Sequence, residues 1–419
     1  MDQLERELRD VLADPRRALP RDLVHLDRVH AGAATRRRRR AVASAGAALA
    51  LVAAVAAPVA LTAGGDDRGT SRPAGSSTPG VTTSDAPAPT SSPTPSATTS
   101  QPLSWGAAAP VSVTATSTRD LVVLGRVPGC SEGPCLRLAR SGDGGRTFAP
   151  LPPPPAKATD RDTGPGTATD VRFASATDGW VFGGGLWSTH DGGRSWAHVS
   201  IPGRVLRLET GAGTVWALVA DGGPDTTARL WQSPAGSDRW AAVDKIGPVT
   251  APADLAVAGA EVAVAGAGES RLWTRAADSS WTDRENPCVG SLGVQMSAVR
   301  GSLWLRCANG TSSSVLRSLD GGASFREVPV GGTAGDAPPN DLLVAARDRG
   351  TGVLAVPGDV GLLLTDDSGA HGQSFATGTG WLYVGMTSRD VGYAITCCSL
   401  RLLYRTDDGA ITWTEVTVD

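Results

Sequence analysis

The 419-residue chain is poor in aromatic side chains, which make up 5 % of it, and holds only five histidines, three methionines and three tyrosines. The tyrosines, Tyr383, Tyr393 and Tyr404, all fall near the C-terminus. His25 and His30 have no cysteine near them, which argues against a zinc site. No glycine-rich nucleotide loop, metal-ligand cluster or Ser-His-Asp arrangement stands out, so no cofactor is expected and no catalytic residue is assigned. A basic excess is lacking too. The whole chain carries a net charge of −3, and because residues 1–40 are basic, the part from residue 104 onward is more acidic still. That balance gives no support to nucleic-acid binding.

Two segments are defined by what they omit. Ala41 to Ala63 contains no charged residue and follows five consecutive arginines, Arg36 to Arg40. At 1.5 Å per residue such a stretch spans about 34 Å as a helix, enough to cross a bilayer core. The arginines place the N-terminus in the cytoplasm and everything after residue 63 outside. A cleaved signal peptide is the rival reading, but a forty-residue basic region is long for one. Residues 64–103 are Ser, Thr, Pro, Ala and Gly with almost no large aliphatic side chain, the composition of a disordered stalk. Residues 1–40 read as two short amphipathic helices, with Leu4, Leu8, Val11 and Leu12 on one and Leu23, Leu26 and Val29 on the other. They form a cytoplasmic juxtamembrane segment or a docking site for a cytoplasmic partner.

From residue 104 to 419 a unit repeats. The pattern Ser/Thr-x-Asp-x-Gly-x-Ser/Thr-aromatic occurs at Ser141 to Phe148, Thr189 to Trp196 and Ser318 to Phe325. Thr406 to Trp413 carries Ala410 in place of the glycine, and Thr365 to Phe375 carries about three inserted residues. Ser233 to Trp240 and Thr274 to Trp281 keep the first residue and the Trp but lose the Asp. The gaps between copies are 48, 44, 41, 44, 47 and 41 residues. Glycine supplies the positive φ of a tight reversal, and the aspartate accepts bonds from the N–H groups ahead of it. Asp143, Asp191, Asp320, Asp367 and Asp408 are therefore read as structural turn residues. Around each copy lie about four short apolar runs, which predicts an all-β, seven-bladed propeller, with six blades as the alternative.

The motif resembles the Asp-box (BNR) repeat of sialidases, sortilin-type receptors and photosystem II assembly-factor-like propellers. That resemblance implies a propeller whose Asp-box turns lie away from the binding or catalytic face. The Asp-box turns share a face with tight A–B turns, and the other face carries the long loops: residues 128–134, 152–166, 221–228, 283–293 and 331–341. All six cysteines map to the loop-rich face or its edge. An even count in an exported domain reads as disulfides, with Cys130–Cys135, Cys288–Cys307 and Cys397–Cys398 as the first pairing and crossing between the first and last pairs as the alternative. A metal site built from them is not expected.

Three functions compete. A sialidase-like glycosidase needs an arginine cluster, a Tyr–Glu pair and an Asp acid/base, and sialidases keep an Arg-Ile-Pro motif that this chain lacks. A transmembrane sensor needs a cytoplasmic partner for residues 1–40. The favoured reading is a monomeric, non-catalytic propeller, anchored by residues 41–63, that holds an extracytoplasmic protein, peptide or glycan on its loop-rich face.

Overall fold

The computed structural model describes residues 108–418, apart from 131–132, 159–163, 165, 221–226, 331–337, 359, 367–368, 374–379 and 398–400. The expected cytoplasmic segment, membrane span and stalk lie outside the described residues. Every described element is a strand; no described helix is long and apolar enough to cross a membrane.

Seven antiparallel sheets follow one another along the chain, each built from four consecutive strands in the order A-B-C-D. Blades 1 to 7 span residues 109–151, 170–198, 204–250, 253–285, 293–327, 343–373 and 381–416. Blade 3 adds Val249–Thr250 beside its third strand. The A strands are Ala109–Ala115, Asp170–Phe173, Arg204–Gly211, Ala253–Ala258, Gly293–Val299, Leu343–Ala346 and Trp381–Met386. Each touches the A strand of the next blade, and the last touches the first, so the sheets form a closed ring around a channel. The six-bladed alternative is excluded. The outer strand of blade 2 is the short Ala197–His198. One boundary differs from expectation. Trp281–Glu285 is a strand reaching into the loop expected from 283, paired along the full length of Arg271–Arg275.

Seven hydrophobic clusters hold the ring, each lying between two neighbouring blades. An aromatic that closes a repeat is the wedge at most seams. Trp196 packs into the cluster between blades 1 and 2, Trp240 between 2 and 3, Trp281 between 3 and 4, Phe325 between 4 and 5, and Trp413 between 6 and 7. Each of these rings seals the seam to the blade before it. Phe148 does the same at the last seam, where blade 7 meets blade 1.

Four repeat turns share one hydrogen-bond pattern. At the first, Ser141 Oγ accepts from the Gly145 N–H (2.7 Å) and donates to Asp143 Oδ1 (2.8 Å). Asp143 Oδ1 also takes the N–H groups of Arg146 and Thr147, and its Oδ2 takes the Thr147 hydroxyl. The same bonds recur around Asp191, Asp320 and Asp408. These donors hold Asp143 and Asp191 well below the usual carboxylate range and bring Asp320 to about 2, with the bonds from Thr147, Ser195 and Ser324 leading. Two consecutive residues carry positive φ at each turn: Gly144 and Gly145, Gly192 and Gly193, Gly321 and Gly322, Gly409 and Ala410. Ala410, at φ 73°, is the one that carries a Cβ. Ala410→Gly is expected to stabilise the fold by about 0.5–1 kcal/mol, read as a rise in denaturant midpoint. Asp367 lies outside the described residues; Asp366 pairs with Gly369.

The repeat turns lie against the A–B turns of their own blades, as the N–H of Gly144 donates to Arg119 O, that of Gly192 to Thr177 O, and that of Gly409 to Asp390 O. On this face the residue before the turn links blades. Arg140 Nη1 donates to Ala176 O of blade 2 (2.6 Å), and Arg317 Nη1 donates to Gly350 O of blade 6. Arg405 of blade 7 donates to Gly144 O and Thr118 O of blade 1.

Blades 2 and 3 use a histidine at this level. His190 Nδ1 lies 2.9 Å from Asp178 Oδ1, and Nε2 lies 3.4 Å from Asp238 Oδ2 of blade 3. Burial works against the imidazolium, but both carboxylates outweigh it and raise the His190 pKa; Asp178 moves down, with burial opposing and the bond from His190 prevailing. A raised histidine stabilises fully below its unfolded pKa and loses that contribution as pH rises through its folded pKa. The lowered Asp178 loses its contribution as pH falls through its own folded pKa. The melting-temperature gap between wild type and His190→Ala should therefore peak in mildly acidic buffer and narrow toward about pH 8. A gap independent of pH would remove the charged pair from the account.

Candidate functional site

Channel-facing side chains recur at every second position of an A strand, since alternate residues share a face. Blades 1 and 5 use this face to cap their neighbours. Ser112 and Thr114 oxygens accept the N–H groups of Val171 and Phe173, and Gln295 exchanges two bonds of 2.8 Å with the Val344 backbone. Ser297 Oγ accepts from the Ala346 N–H. These caps serve the inner edges of the A strands, which have no further strand to pair with.

Blades 2 to 4 place ions at the same positions. Arg172 donates through Nε and Nη2 to Glu209 Oε1 (3.2 and 3.1 Å), and Arg207 Nε donates to Asp254 Oδ1 (2.7 Å). Asp254 Oδ2 accepts the Met296 N–H of blade 5. Asp170 bonds to the Thr169 hydroxyl and faces both arginines. Across the channel the Arg172 guanidinium sits 5.8 Å from the Tyr383 ring centroid. Burial opposes the charge of Arg172, but Glu209, Tyr383 and Asp170 more than offset it and hold the guanidinium above its ordinary value. Burial likewise pushes the Tyr383 phenol up, Arg172 pulling it back only in part. Gly385 gives that phenol room, because a Cβ there would meet the Tyr383 hydroxyl. The groups surround a cavity of about 420 Å³. The side chain of Arg207 remains 48 % accessible within it. The channel is therefore polar and open to water.

Of these residues only Tyr383 stands out in the sequence. The signal was present as polar alternation in Asp170-x-Arg172, Arg207-x-Glu209 and Gln295-x-Ser297. The other two tyrosines are packed, Tyr393 in the seam between blades 7 and 1 and Tyr404 edge-on to Trp381.

Of the cysteines, Cys288 and Cys307 form a disulfide between the loop after blade 4 and the second strand of blade 5. Cys135 and Cys397 are also disulfide-bonded. The side chains of Cys130 and Cys398 lie outside the described residues. Among the described residues no group of His, Cys, Asp and Glu is arranged to hold a metal ion. Asn286 anchors the base of the Cys288 loop, its Nδ2 donating to Gly266 O and Glu269 O while Oδ1 accepts the Cys288 N–H. Beyond this anchor Val289 and Leu292 are 57 % and 69 % exposed. The loop is a rigid knuckle with an apolar tip.

No family model matches the chain, and no curated protein matches it. Among solved structures it is similar to YCF48 bound to D1 peptide (17 % identity over 75 % of this chain and 94 % of that one, TM-score 0.47). It is also similar to YCF48 from Cyanidioschyzon merolae (13 %, 72 % and 96 %, TM-score 0.48) and to streptogramin B lyase (12 %, 75 % and 95 %, TM-score 0.50). The fold is a seven-bladed β-propeller. Propellers host unrelated functions, so this likeness speaks for the scaffold and leaves function to the site. On this propeller the channel and the exposed tip of the Cys288 loop are two candidate sites.

Proposed function

We propose that the protein is a non-catalytic binding propeller, monomeric, anchored by residues 41–63 and facing outward from the cytoplasm, whose repeat turns are Asp-boxes. Its partner, an extracytoplasmic protein, peptide or glycan, docks on the face opposite those turns. The observation that carries this reading is the stapled knuckle: a disulfide and a buried asparagine fix a loop whose tip is apolar and exposed. Preorganised apolar side chains on a rigid scaffold bind without a large ordering cost. The Cys288–Cys307 disulfide also fits an oxidising compartment.

A glycosidase reading draws on Tyr383 facing Arg172 and Glu209 in the channel. It is disfavoured because burial raises the Tyr383 phenol above its ordinary value and so works against the phenolate that a nucleophile needs. Crosslinking of the full-length chain in its native membranes tests the binding reading. Crosslinks from Lys157, in the loop between blades 1 and 2, to an exported protein support it when Leu292→Asp removes them. Glycoside turnover abolished by Tyr383→Phe would replace it with the enzyme.

A further inference from the structure

Capping the inner strands does not require charge. Ser112, Thr114, Gln295 and Ser297 do it with neutral groups, whereas burying ions costs desolvation energy. Five ionised side chains on blades 2 to 4 therefore call for another explanation. Their bonds to one another use only part of their capacity. Asp254 is fully engaged, one oxygen by Arg207 and the other by the Met296 N–H. Arg172 is engaged through Nε and Nη2 by Glu209 and through Nη1 by Val171 O. Glu209 accepts through Oε1 alone, and Asp170 accepts only from the Thr169 hydroxyl. Arg207 donates through Nε and Nη1, leaving Nη2 for the cavity. The Tyr383 hydroxyl enters no hydrogen bond among the described residues, although its ring is held over Arg172.

One cavity thus presents two unspent acceptors and two unspent donors. An anion would satisfy Arg207 and Tyr383 but meets three carboxylates against two guanidiniums. A cation would satisfy Asp170 and Glu209 and leave both donors unmatched. We propose that the channel binds a small zwitterion, with its ammonium group on Asp170 and Glu209 and its carboxylate on Arg207 and the Tyr383 hydroxyl. A cavity of about 420 Å³ accommodates a molecule the size of an amino acid or a dipeptide. This site is separate from the knuckle and does not depend on the partner proposed there.

The test is calorimetry on the full-length chain with glycylglycine and γ-aminobutyrate as zwitterions, putrescine as the dication, glutarate as the dianion and glucose as the polyol. The zwitterions are expected to bind at least about tenfold more tightly than the others, and Asp170→Asn and Tyr383→Phe should each weaken them by about tenfold. Neither side chain hydrogen-bonds to another blade, and circular dichroism and the melting temperature of each variant check that a loss of binding is read on folded protein. Absence of binding by the zwitterions overturns the proposal. So does glucose or putrescine binding as tightly as they do, or zwitterion binding that neither substitution changes.

Discussion

Arg405→Ala is expected to lower the stability of the propeller by about 3 kcal/mol, the largest loss from any single surface-proximal change. All four strands of blade 7 come from the C-terminal end of the chain, and among the described residues no strand from the N-terminal end joins it. The seam between blades 7 and 1 is held by one apolar cluster and by Arg405. Its guanidinium donates to Gly144 O and Thr118 O of blade 1, lies 5.8 Å from the Tyr393 ring centroid, and is only 13 % exposed. Hydrogen bonds from a charged donor contribute about 1.5–3 kcal/mol each where they exclude water, and the ring contact adds about 0.5–1 kcal/mol. The pair with Asp407 adds little, since that carboxylate is 64 % exposed. Denaturant melts measure the loss. Hydrogen exchange locates it, with protection falling first in Ala109–Ala115 and Leu403–Thr406. Arg140→Ala removes one carbonyl contact at a seam between consecutive blades together with the pair to Asp120 inside blade 1, and its loss of hydrogen-exchange protection at the seam between blades 1 and 2 should be smaller. Equal losses would show that the closing seam has no special standing.

Replacing Cys288 and Cys307 together with alanine is the second large effect. The bond closes a separation of 19 residues, and both cysteines are buried. Loop entropy alone predicts a loss of about 3 kcal/mol. Asn286 keeps its three bonds in the double variant, so the base of the loop stays anchored while Val289 and Leu292 lose their fixed positions. Partner crosslinks should weaken even under conditions where the variant remains fully folded. Undiminished crosslinks from the variant would remove the knuckle from the interface.

Much of the fold was legible because the propeller is written locally. A Ser/Thr, an Asp, a glycine and an aromatic within eight residues specify a turn whose bonds close on themselves, and the spacing of the turns counts the blades. What the pattern did not convey is the relation between blades. Trp196 follows its own turn directly in the chain, yet it packs on the cluster shared with the preceding blade and its indole N–H donates to Pro152 O. Arg140, Arg317 and Arg405 look like solvated positions at strand ends, yet they reach the following blade. The alternation of Asp170 with Arg172, and of Arg207 with Glu209, is what a solvent-facing strand would also show. Only closure of the ring turns that face inward, and closure is a property of seven sheets together. The Cys288–Cys307 disulfide was legible, because an even cysteine count marks staples, but exposure of Val289 and Leu292 cannot be read from their identities.

Chain order and ring order coincide in this molecule, with blades made of consecutive strands and five seams between consecutive blades sealed by an aromatic that arrives with the later blade. A propeller of this kind can assemble as it emerges, one blade docking on the last, with contacts that are short in sequence. The seam between blades 7 and 1 is the exception, joining Val113 to residues near Tyr393 across almost the whole propeller. Six joints are made during growth and one after it. The last therefore depends on the completed C-terminus, and a chain truncated before blade 7 would leave the apolar edges of blades 1 and 6 facing water, a template for association with other chains.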